Sequence, residues 1–344
     1  MEPIKFISPS SFFYWEKCPL KAIYSKEYKG HQFFPKHPDA DLGSIIHSFF
    51  ENKNKWNIFS SQDFEERWEM EINKIDELYK NSNIQKIYFP IKWNAKYFAI
   101  KKYLVKGALL KKRITPVDTI GHKFKFEQWI DDGELIGGKV DYMAFNSQNE
   151  IVEIKDFKTG NIYEIIDKKR VIKIQYIQQI LLYAYLINIK QGFYPKCFIQ
   201  DMKGHKHIIE IKEEIAIDIL KRALELKNKI NKKISEGQLD QLAIPKIENC
   251  MHCEYKSICN IYNTTYINNF ENKNVDIYGV VLDVKGLEKI ELKIQLENKV
   301  LIIKNISTNE SIKIGDSIFI YNLFCPDGNS QILFAMKQTI IKYE

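Results

Sequence analysis

Apolar residues follow two different spacings along this chain, and the change between them divides the sequence into two parts. Up to residue 267, segments with apolar residues three or four apart, typical of helices, alternate with segments in which every second residue is apolar, typical of strands. From Val275 onward only short strand-like runs remain. The pattern predicts an α/β domain over residues 1–267 and a small β-barrel over residues 275–344.

Helical spacing predicts several helices in the first domain. The first starts at the Ser8-Pro9-Ser10 signature and runs to Cys18-Pro19. The others cover residues 41–51, a helical insertion at about 52–115, residues 171–188 and residues 213–235. The insertion ends in a basic segment, for which a solvated helix face is favoured over a surface for nucleic-acid phosphates: Lys101, Lys102, Lys106, Lys111, Lys112 and Arg113.

The stretch 135–160 predicts a β-hairpin that carries charged side chains. Asp141 lies in its first strand, and Asp156 and Lys158 end its second. Because residues two apart in a strand share a face, Asp156 and Lys158 point the same way. Carboxylates hold hard divalent cations such as Mg²⁺, and a lysine stabilises charge on a phosphoryl group. A solvated surface hairpin explains the same charges equally well, so the neighbouring motifs must decide.

Five short apolar runs predict the strands of the C-terminal barrel. They lie at residues 277–284, 290–296, 300–303, 317–323 and 331–336. This arrangement is typical of an OB-fold, with an SH3-like barrel as the alternative. Such a barrel either binds single-stranded nucleic acid or serves as a docking module, and the sequence favours neither role.

Composition and charge narrow the class of protein. The 344 residues are 45% hydrophobic and 28% charged, which is typical of a globular protein and not of a disordered chain. Lys and Arg outnumber Asp and Glu by 51 to 44, and this excess favours a polyanionic partner. The sequence shows neither a signal-peptide pattern nor an apolar run of about 18 residues, so we expect a soluble, cytoplasmic protein without membrane contact.

Three of the six cysteines form a close group, Cys250, Cys253 and Cys259. In a reducing compartment such a group predicts a metal site and not a set of disulfides. Three thiolates need a fourth ligand, for which His252 is the less favoured candidate. Cys18 is the natural candidate, since the remaining cysteines lie in a predicted strand and in the C-terminal segment.

Four cysteines hold either a 4Fe-4S cluster or a structural zinc ion. Zinc sites more often use two close Cys-x2-Cys pairs. The set in this chain is unequal and has one remote ligand at Cys18. Its spacing therefore favours an iron-sulfur cluster over a zinc ion.

Taken together, these features resemble the PD-(D/E)XK nuclease superfamily. Within it, they resemble the RecB-like nucleases that carry an iron-sulfur cluster, such as the AddB nuclease domain and the CRISPR-adaptation exonucleases. Each motif is weak alone, but their order along residues 8–262 is specific. The motifs are Ser10 to Pro19, Gly43 to His47, Gly137 to Asp141, Asp156-Phe157-Lys158-Thr159-Gly160, Gln179 to Tyr183, and the triplet Cys250, Cys253 and Cys259.

The resemblance implies a restriction-endonuclease-like core, a mixed sheet flanked by helices, and it implies roles for individual residues. The expected ligands of Mg²⁺ or Mn²⁺ are His47, Asp141 and Asp156. Lys158 is expected to assist the attack of water. Gln179 and Tyr183 of the following helix would organise the site or the DNA. Four cysteines would bind the 4Fe-4S cluster: Cys18, Cys250, Cys253 and Cys259.

One ambiguity concerns the second acid of the hairpin. Glu153 and Lys155 also fit a Glu-x-Lys pattern, but their side chains fall on the opposite face from those of Asp156 and Lys158. We favour Asp156 because Asp-Phe-Lys-Thr-Gly matches the family pattern through its last residue.

These observations predict a metal-dependent deoxyribonuclease that hydrolyses phosphodiester bonds. We expect an exonuclease on single-stranded DNA or DNA ends, in repair, recombination or defence, with a helicase or another DNA-processing protein as partner. One rival is a non-cleaving DNA-binding subunit that guides DNA for a helicase or nuclease. Another is a zinc-stapled interaction module with a barrel tail, which does not explain the hairpin acids.

Overall fold

The computed structural model describes residues 2–52, 55–58, 60–109, 123–201, 204–287, 289–308, 311–327 and 330–344. The helices are α1 (Pro9–Lys17), α2 (Leu20–Glu27), α3 (Asp39–Asn52), α4 (Ser61–Asn81), α5 (Tyr97–Leu109), α6 (Ile174–Gln191), α7 (Glu213–Glu236), α8 (Ile247–Cys250) and α9 (Asn260–Thr265). The strands are β1 (Lys123–Asp131), β2 (Gly137–Phe145), β3 (Ile151–Lys158), β4 (Tyr163–Ile166), β5 (Lys169–Ile172), β6 (Lys196–Asp201), β7 (Lys206–Ile209), β8 (Asn274–Lys285), β9 (Ile290–Gln295), β10 (Val300–Ile306), β11 (Ser317–Phe324) and β12 (Ile332–Tyr343).

The chain forms two compact units. The first contains Met1–Pro19 and Lys36–Leu242, and the second contains Leu20–Pro35 and Ala243–Glu344. No helix of the described residues combines the length and the apolar character that crossing a bilayer requires. The predicted boundary between residues 267 and 275 stays a prediction.

A five-stranded mixed sheet forms the centre of the first unit, in the order β1-β2-β3-β6-β7. Its neighbours are antiparallel except for β3 and β6, which run parallel. A parallel pair needs a long connection, and the segment between β3 and β6 contains the β4–β5 pair and α6. Helices α1 and α7 both contact α6. The predicted α/β core, a mixed sheet flanked by helices, is confirmed.

The helical insertion has its own apolar core. Residues of α3, α4 and α5 pack around Trp68, whose indole N–H donates to the hydroxyl of Tyr97 over 2.7 Å. Ser60 begins α4 as a capping box with Asp63, which satisfies backbone N–H groups at the helix start. The last part of the predicted insertion, residues 110–115 with Lys111, Lys112 and Arg113, lies outside the described residues.

The predicted start of the helix at residue 171 is wrong. Val171 and Ile172 belong to strand β5, which pairs with β4 in a separate two-stranded sheet. The turn between these strands contains Asp167 and Lys168, both with positive φ (50° and 63°). Two positive φ angles are typical of a type I′ hairpin turn, but the usual Asn-Gly signal is missing from this sequence. The apolar run therefore appeared continuous with α6.

The second unit contains the closed five-stranded barrel, in the order β10-β12-β11-β8-β9. Strands β10 and β12 are parallel, and the other pairs are antiparallel. Alternate residues of every strand fill an interior made almost wholly of Ile, Leu and Val. The predicted OB-like barrel is confirmed, although its last strand extends from residue 332 to 343.

Candidate metal centre and catalytic site

The central hairpin brings its two acids together. Tyr142 of β2 pairs with Lys155 of β3, so Asp141 and Asp156 are opposite each other one position further on. Asp141 Oδ2 accepts a hydrogen bond of 2.7 Å from the backbone N–H of Phe157. Asp156 is 3% exposed. Two carboxylates therefore meet at the end of the hairpin in a site that is largely closed to water.

Lys158 and Gln179 complete a hydrogen-bonded triangle with Asp156. Lys158 Nζ lies 2.7 Å from Asp156 Oδ2 and donates to Gln179 Oε1 over 3.0 Å. The side-chain amide of Gln179 donates to Asp156 Oδ1 over 2.8 Å. Helix α6 thus fixes the orientation of both the acid and the lysine of β3.

Tyr183, one turn after Gln179, supports the adjacent strand. Its hydroxyl donates to the backbone carbonyl of Lys139 over 2.8 Å. A Cβ atom at position 138 would lie 2.9 Å from that hydroxyl, so this close approach requires Gly138. The structure places Tyr183 against the backbone of β2, two residues before Asp141.

His47 reaches the same end of the sheet from α3. A Cβ atom at Gly43 would lie 3.1 Å from Thr159 Oγ1, so a glycine lets this helix approach the end of β3 closely. His47 follows one turn later, and its Nδ1 lies 3.9 Å from Asp141 Oδ2. The close approach of α3 at Gly43 therefore brings His47, four residues later, to Asp141.

Glu127 of β1 belongs to the site, and the sequence analysis missed it. Its Oε1 lies 3.1 Å from His47 Nδ1, and its Oε2 lies 2.9 Å from Lys139 Nζ. His47, Glu127 and Asp141 each offer one ligand atom, and these atoms lie within 4.8 Å of one another. Glu127 lies opposite Asp141, because the residues on either side of it pair with Tyr142 and Val140 of β2. The backbone of Glu127 has a φ of 51°.

Positive φ at a non-glycine residue costs on the order of 1–3 kcal/mol and persists where the surroundings enforce it. At Glu127 the carboxylate is held by the imidazole of His47 and the ammonium of Lys139. The available signal was the alternation of β1, which puts Glu127 on one face with Lys125 and Trp129. That signal identifies a charged residue in a strand but not its partners.

Burial and mutual repulsion shape the charges at the site. Burial, and then the Asp156 carboxylate, raise the pKa of Asp141 to about 7. Burial also raises the pKa of Asp156, against the opposing effect of Lys158. Burial lowers the pKa of Lys158, but Asp156 and Asp141 outweigh it and the net pKa is raised. The pKa of His47 is likewise raised, because Glu127 and Asp141 outweigh its burial.

The donor set fits a divalent cation. Asp156 Oδ2 is buried, and its contact among the described residues is Lys158 Nζ at 2.7 Å, which leaves it further lone-pair capacity for a cation. The neighbouring carboxylates repel each other, and a cation between them would relieve that repulsion. Carboxylate oxygens with one imidazole nitrogen suit a hard or borderline metal ion.

The alternative pair lies on the other face of β3. Lys155 Nζ contacts Glu153 Oε1 at 2.6 Å and lies 3.8 Å from the ring centroid of Tyr142. Burial lowers the pKa of Lys155, against the effect of Glu153. These side chains point away from Asp141 and His47.

The cysteine group lies in the second unit. Cys250 ends α8, Cys253 follows it, and Cys259 precedes α9; all three side chains are partly exposed. Cys18 follows α1 in the first unit and is also partly exposed. Cys197 and Cys325 are buried, and burial raises the pKa of Cys197 to about 12.

Comparisons with solved structures find weak likenesses. A candidate exonuclease from Eubacterium rectale matches with 16% identity over 76% of this chain and 89% of that chain, at a TM-score of 0.37. The tetrameric p202 HIN2 domain (16% identity) and p202 HIN1 in complex with 12-mer dsDNA (20%) each match 21% of this chain, at a TM-score of 0.19. The chain spans 41% and 38% of those two structures. These TM-scores are too low to show a shared fold.

The comparison with protein families is more specific. No curated protein matches the sequence. A family model of the PD-(D/E)XK nuclease superfamily matches residues 7–260, from the strand bridge before α1 to the third clustered cysteine. This match includes every predicted site residue, and it covers well over half of the chain. The chain belongs to the PD-(D/E)XK nuclease superfamily.

Proposed function

We propose that this protein is a metal-dependent deoxyribonuclease, an exonuclease that acts on single-stranded DNA or at DNA ends. The observation that carries the proposal is the convergence of His47, Glu127 and Asp141 beside the Asp156–Lys158 pair. Nucleases of this superfamily use divalent metal ions and act on nucleic acid. The site thus combines a place for a cation with a fixed positive charge.

Each residue has a role that follows from its contacts. Four side chains would hold Mg²⁺ or Mn²⁺: His47, Glu127, Asp141 and Asp156. The bound ion would supply a Lewis acid and a counter-charge for the phosphodiester. Lys158 Nζ, which contacts Asp156 and Gln179, would stabilise negative charge on phosphoryl oxygens. Gln179 keeps both groups in position, and Tyr183 holds the backbone of β2.

The direct test uses DNA labelled at one end, single-stranded and duplex, with Mg²⁺, Mn²⁺ or EDTA. We expect metal-dependent loss of the label as short products, faster from single strands. The Asp141→Asn variant should lose this activity, while Asp240→Asn, at an exposed acid away from the site, should retain it. Intact DNA in every metal would reject the nuclease and leave a non-cleaving DNA-binding role.

We further propose a 4Fe-4S cluster held by Cys18, Cys250, Cys253 and Cys259, as in the RecB-like nucleases. The close triplet supports this, as does the burial of the other two cysteines in strand-rich cores. Anaerobic preparations should contain about four iron atoms per chain and absorb near 400 nm. The Cys253→Ser variant should lose both signals and Cys197→Ala should keep them. A folded protein with zinc and no iron would contradict the proposal.

The proposed setting is a cytoplasmic DNA-processing assembly that serves repair, recombination or defence. A helicase partner would supply the unwound strand. Co-purification of the tagged chain with and without nuclease digestion separates a direct protein partner from proteins that share only the DNA.

A further inference from the structure

A two-stranded hairpin, which we call the β4–β5 arm (Tyr163–Ile172), follows the catalytic strand directly. It begins five residues after Lys158. Its base is closed by the backbone N–H of Lys173, which donates to the carbonyl of Ile162 over 3.0 Å. Lys158 Nζ lies 4.8 Å from the ring centroid of Tyr176, and Lys173 Nζ lies 6.0 Å from the same centroid. The base of the arm therefore shares an aromatic neighbour with the catalytic lysine.

The arm exposes apolar side chains beside cations. Ile165 is 70% exposed and Ile166 is 51% exposed, and Lys168, Lys169 and Arg170 are exposed as well. Residues 163–172 contain three basic side chains and two acidic ones, a net charge of +1. No acidic side chain of the described residues forms an ion pair with these three cations. Their charge remains available to a polyanion.

One face of the arm carries a stacked cation. Pairing of the two strands puts Ile165 opposite Arg170, and the Arg170 guanidinium lies 3.7 Å from the ring centroid of Tyr163. The hydroxyl of Tyr163 and Nδ1 of His207, on the central sheet, are 3.0 Å apart. The arm is thus anchored to β7, and it presents a flat guanidinium next to an exposed isoleucine.

We propose that the β4–β5 arm binds single-stranded DNA next to the scissile phosphate; this inference rests on the proposed nuclease function. Unpaired bases stack on flat guanidinium and apolar surfaces, and phosphates are attracted to the neighbouring lysines. In a duplex the faces of the bases are already covered by their neighbours. The arm therefore favours unpaired strands over duplex, and it holds the strand close to Lys158.

The experiment measures DNA binding without cleavage. The Asp156→Asn protein in EDTA is titrated against a fluorescein-labelled single strand and against a blunt duplex, and fluorescence anisotropy gives each Kd. In this background Ile165→Ser/Arg170→Ala removes the exposed face of the arm. Ile217→Ser/Lys221→Ala is the matched control, because it removes an exposed isoleucine and an exposed lysine from α7. Thermal melting checks that both variants are folded.

The arm variant should weaken single-strand binding at least about fivefold, the lower end of what one lost base stack costs. Duplex binding should change less, and the control should match the parent protein. A second variant, Lys168→Ala/Lys169→Ala, should reduce the salt dependence of binding because it removes two phosphate contacts.

Three results would overturn the proposal: an unchanged single-strand Kd, an equal loss for duplex and single strand, or a parent protein that binds no DNA. Cleavage of DNA by the wild-type protein is scored separately. A failure of the nuclease proposal is therefore distinguished from a failure of the arm.

Discussion

Strand β3 carries two acid–lysine pairs, one on each face, and their immediate geometry is almost the same. The Asp156–Lys158 contact is 2.7 Å and the Glu153–Lys155 contact is 2.6 Å. Their surroundings differ. Asp156 and Lys158 meet Gln179 from α6 and face Asp141, while Lys155 packs on Tyr142. An acid–lysine pair becomes a candidate catalytic site when other elements add acids and an amide that the local sequence does not contain.

Removing one acid from each face of β3 should give the largest difference in DNA cleavage rate. Asp156→Asn should lower DNA cleavage about a thousandfold or more, since it removes a proposed metal ligand and with it several kcal/mol of charge stabilisation. Glu153→Gln should stay within about twofold of wild type, because its partner lies away from the site. Initial rates on a labelled single strand measure both. Equal losses of cleavage in the two variants would show that the two faces of β3 do not differ in function.

Glu127 tests whether the site extends to β1. Glu127→Gln should weaken Mn²⁺ binding about tenfold to a hundredfold, because it removes a carboxylate from the ligand group and from His47. Electron paramagnetic resonance of free Mn²⁺ during a titration measures this without turnover. Glu134→Gln, at an exposed acid, is the control. An unchanged affinity would show that Glu127 binds no metal.

Gln179 tests the hydrogen-bonded triangle, which Asp156 has and Glu153 lacks. Gln179→Leu removes a hydrogen bond to the acid and one from the lysine, so we expect about a tenfold loss of cleavage rate. Gln178→Leu alters the adjacent buried glutamine, whose contact is with Glu16, and should have a smaller effect. The comparison is contradicted if the two leucine variants lose activity equally.

Tyr183 tests the support of β2. Tyr183→Phe removes one hydrogen bond to the Lys139 carbonyl and should lower the free energy of unfolding by about 1 kcal/mol. For a domain of this size, that corresponds to a fall in Tm of about 2–4 °C in differential scanning calorimetry. A loss of cleavage as large as that of Asp156→Asn, with Tm unchanged, would give Tyr183 a direct chemical role instead.

The sequence predicted the barrel and the central hairpin well, because short apolar runs separated by polar turns mark their strands. Strand spacing put Asp156 and Lys158 on one face, and the family resemblance added Asp141 to them. Glu127 was missed because its partners come from α3 and β2, which only the folded register brings near. The β4–β5 arm was missed because its turn, Asp167-Lys168, lacks the glycine or asparagine that usually marks such a turn.

We propose that the carboxylates of β2 and β3 hold a divalent cation that cleavage requires. The most direct measurement titrates Mn²⁺ into EDTA-treated protein while ion occupancy and cleavage of a labelled single strand are followed together. We predict that cleavage rises with occupancy in the wild type, and that Asp141→Asn/Asp156→Asn shows neither. Cleavage that persists in EDTA, or in the double variant, would contradict the claim.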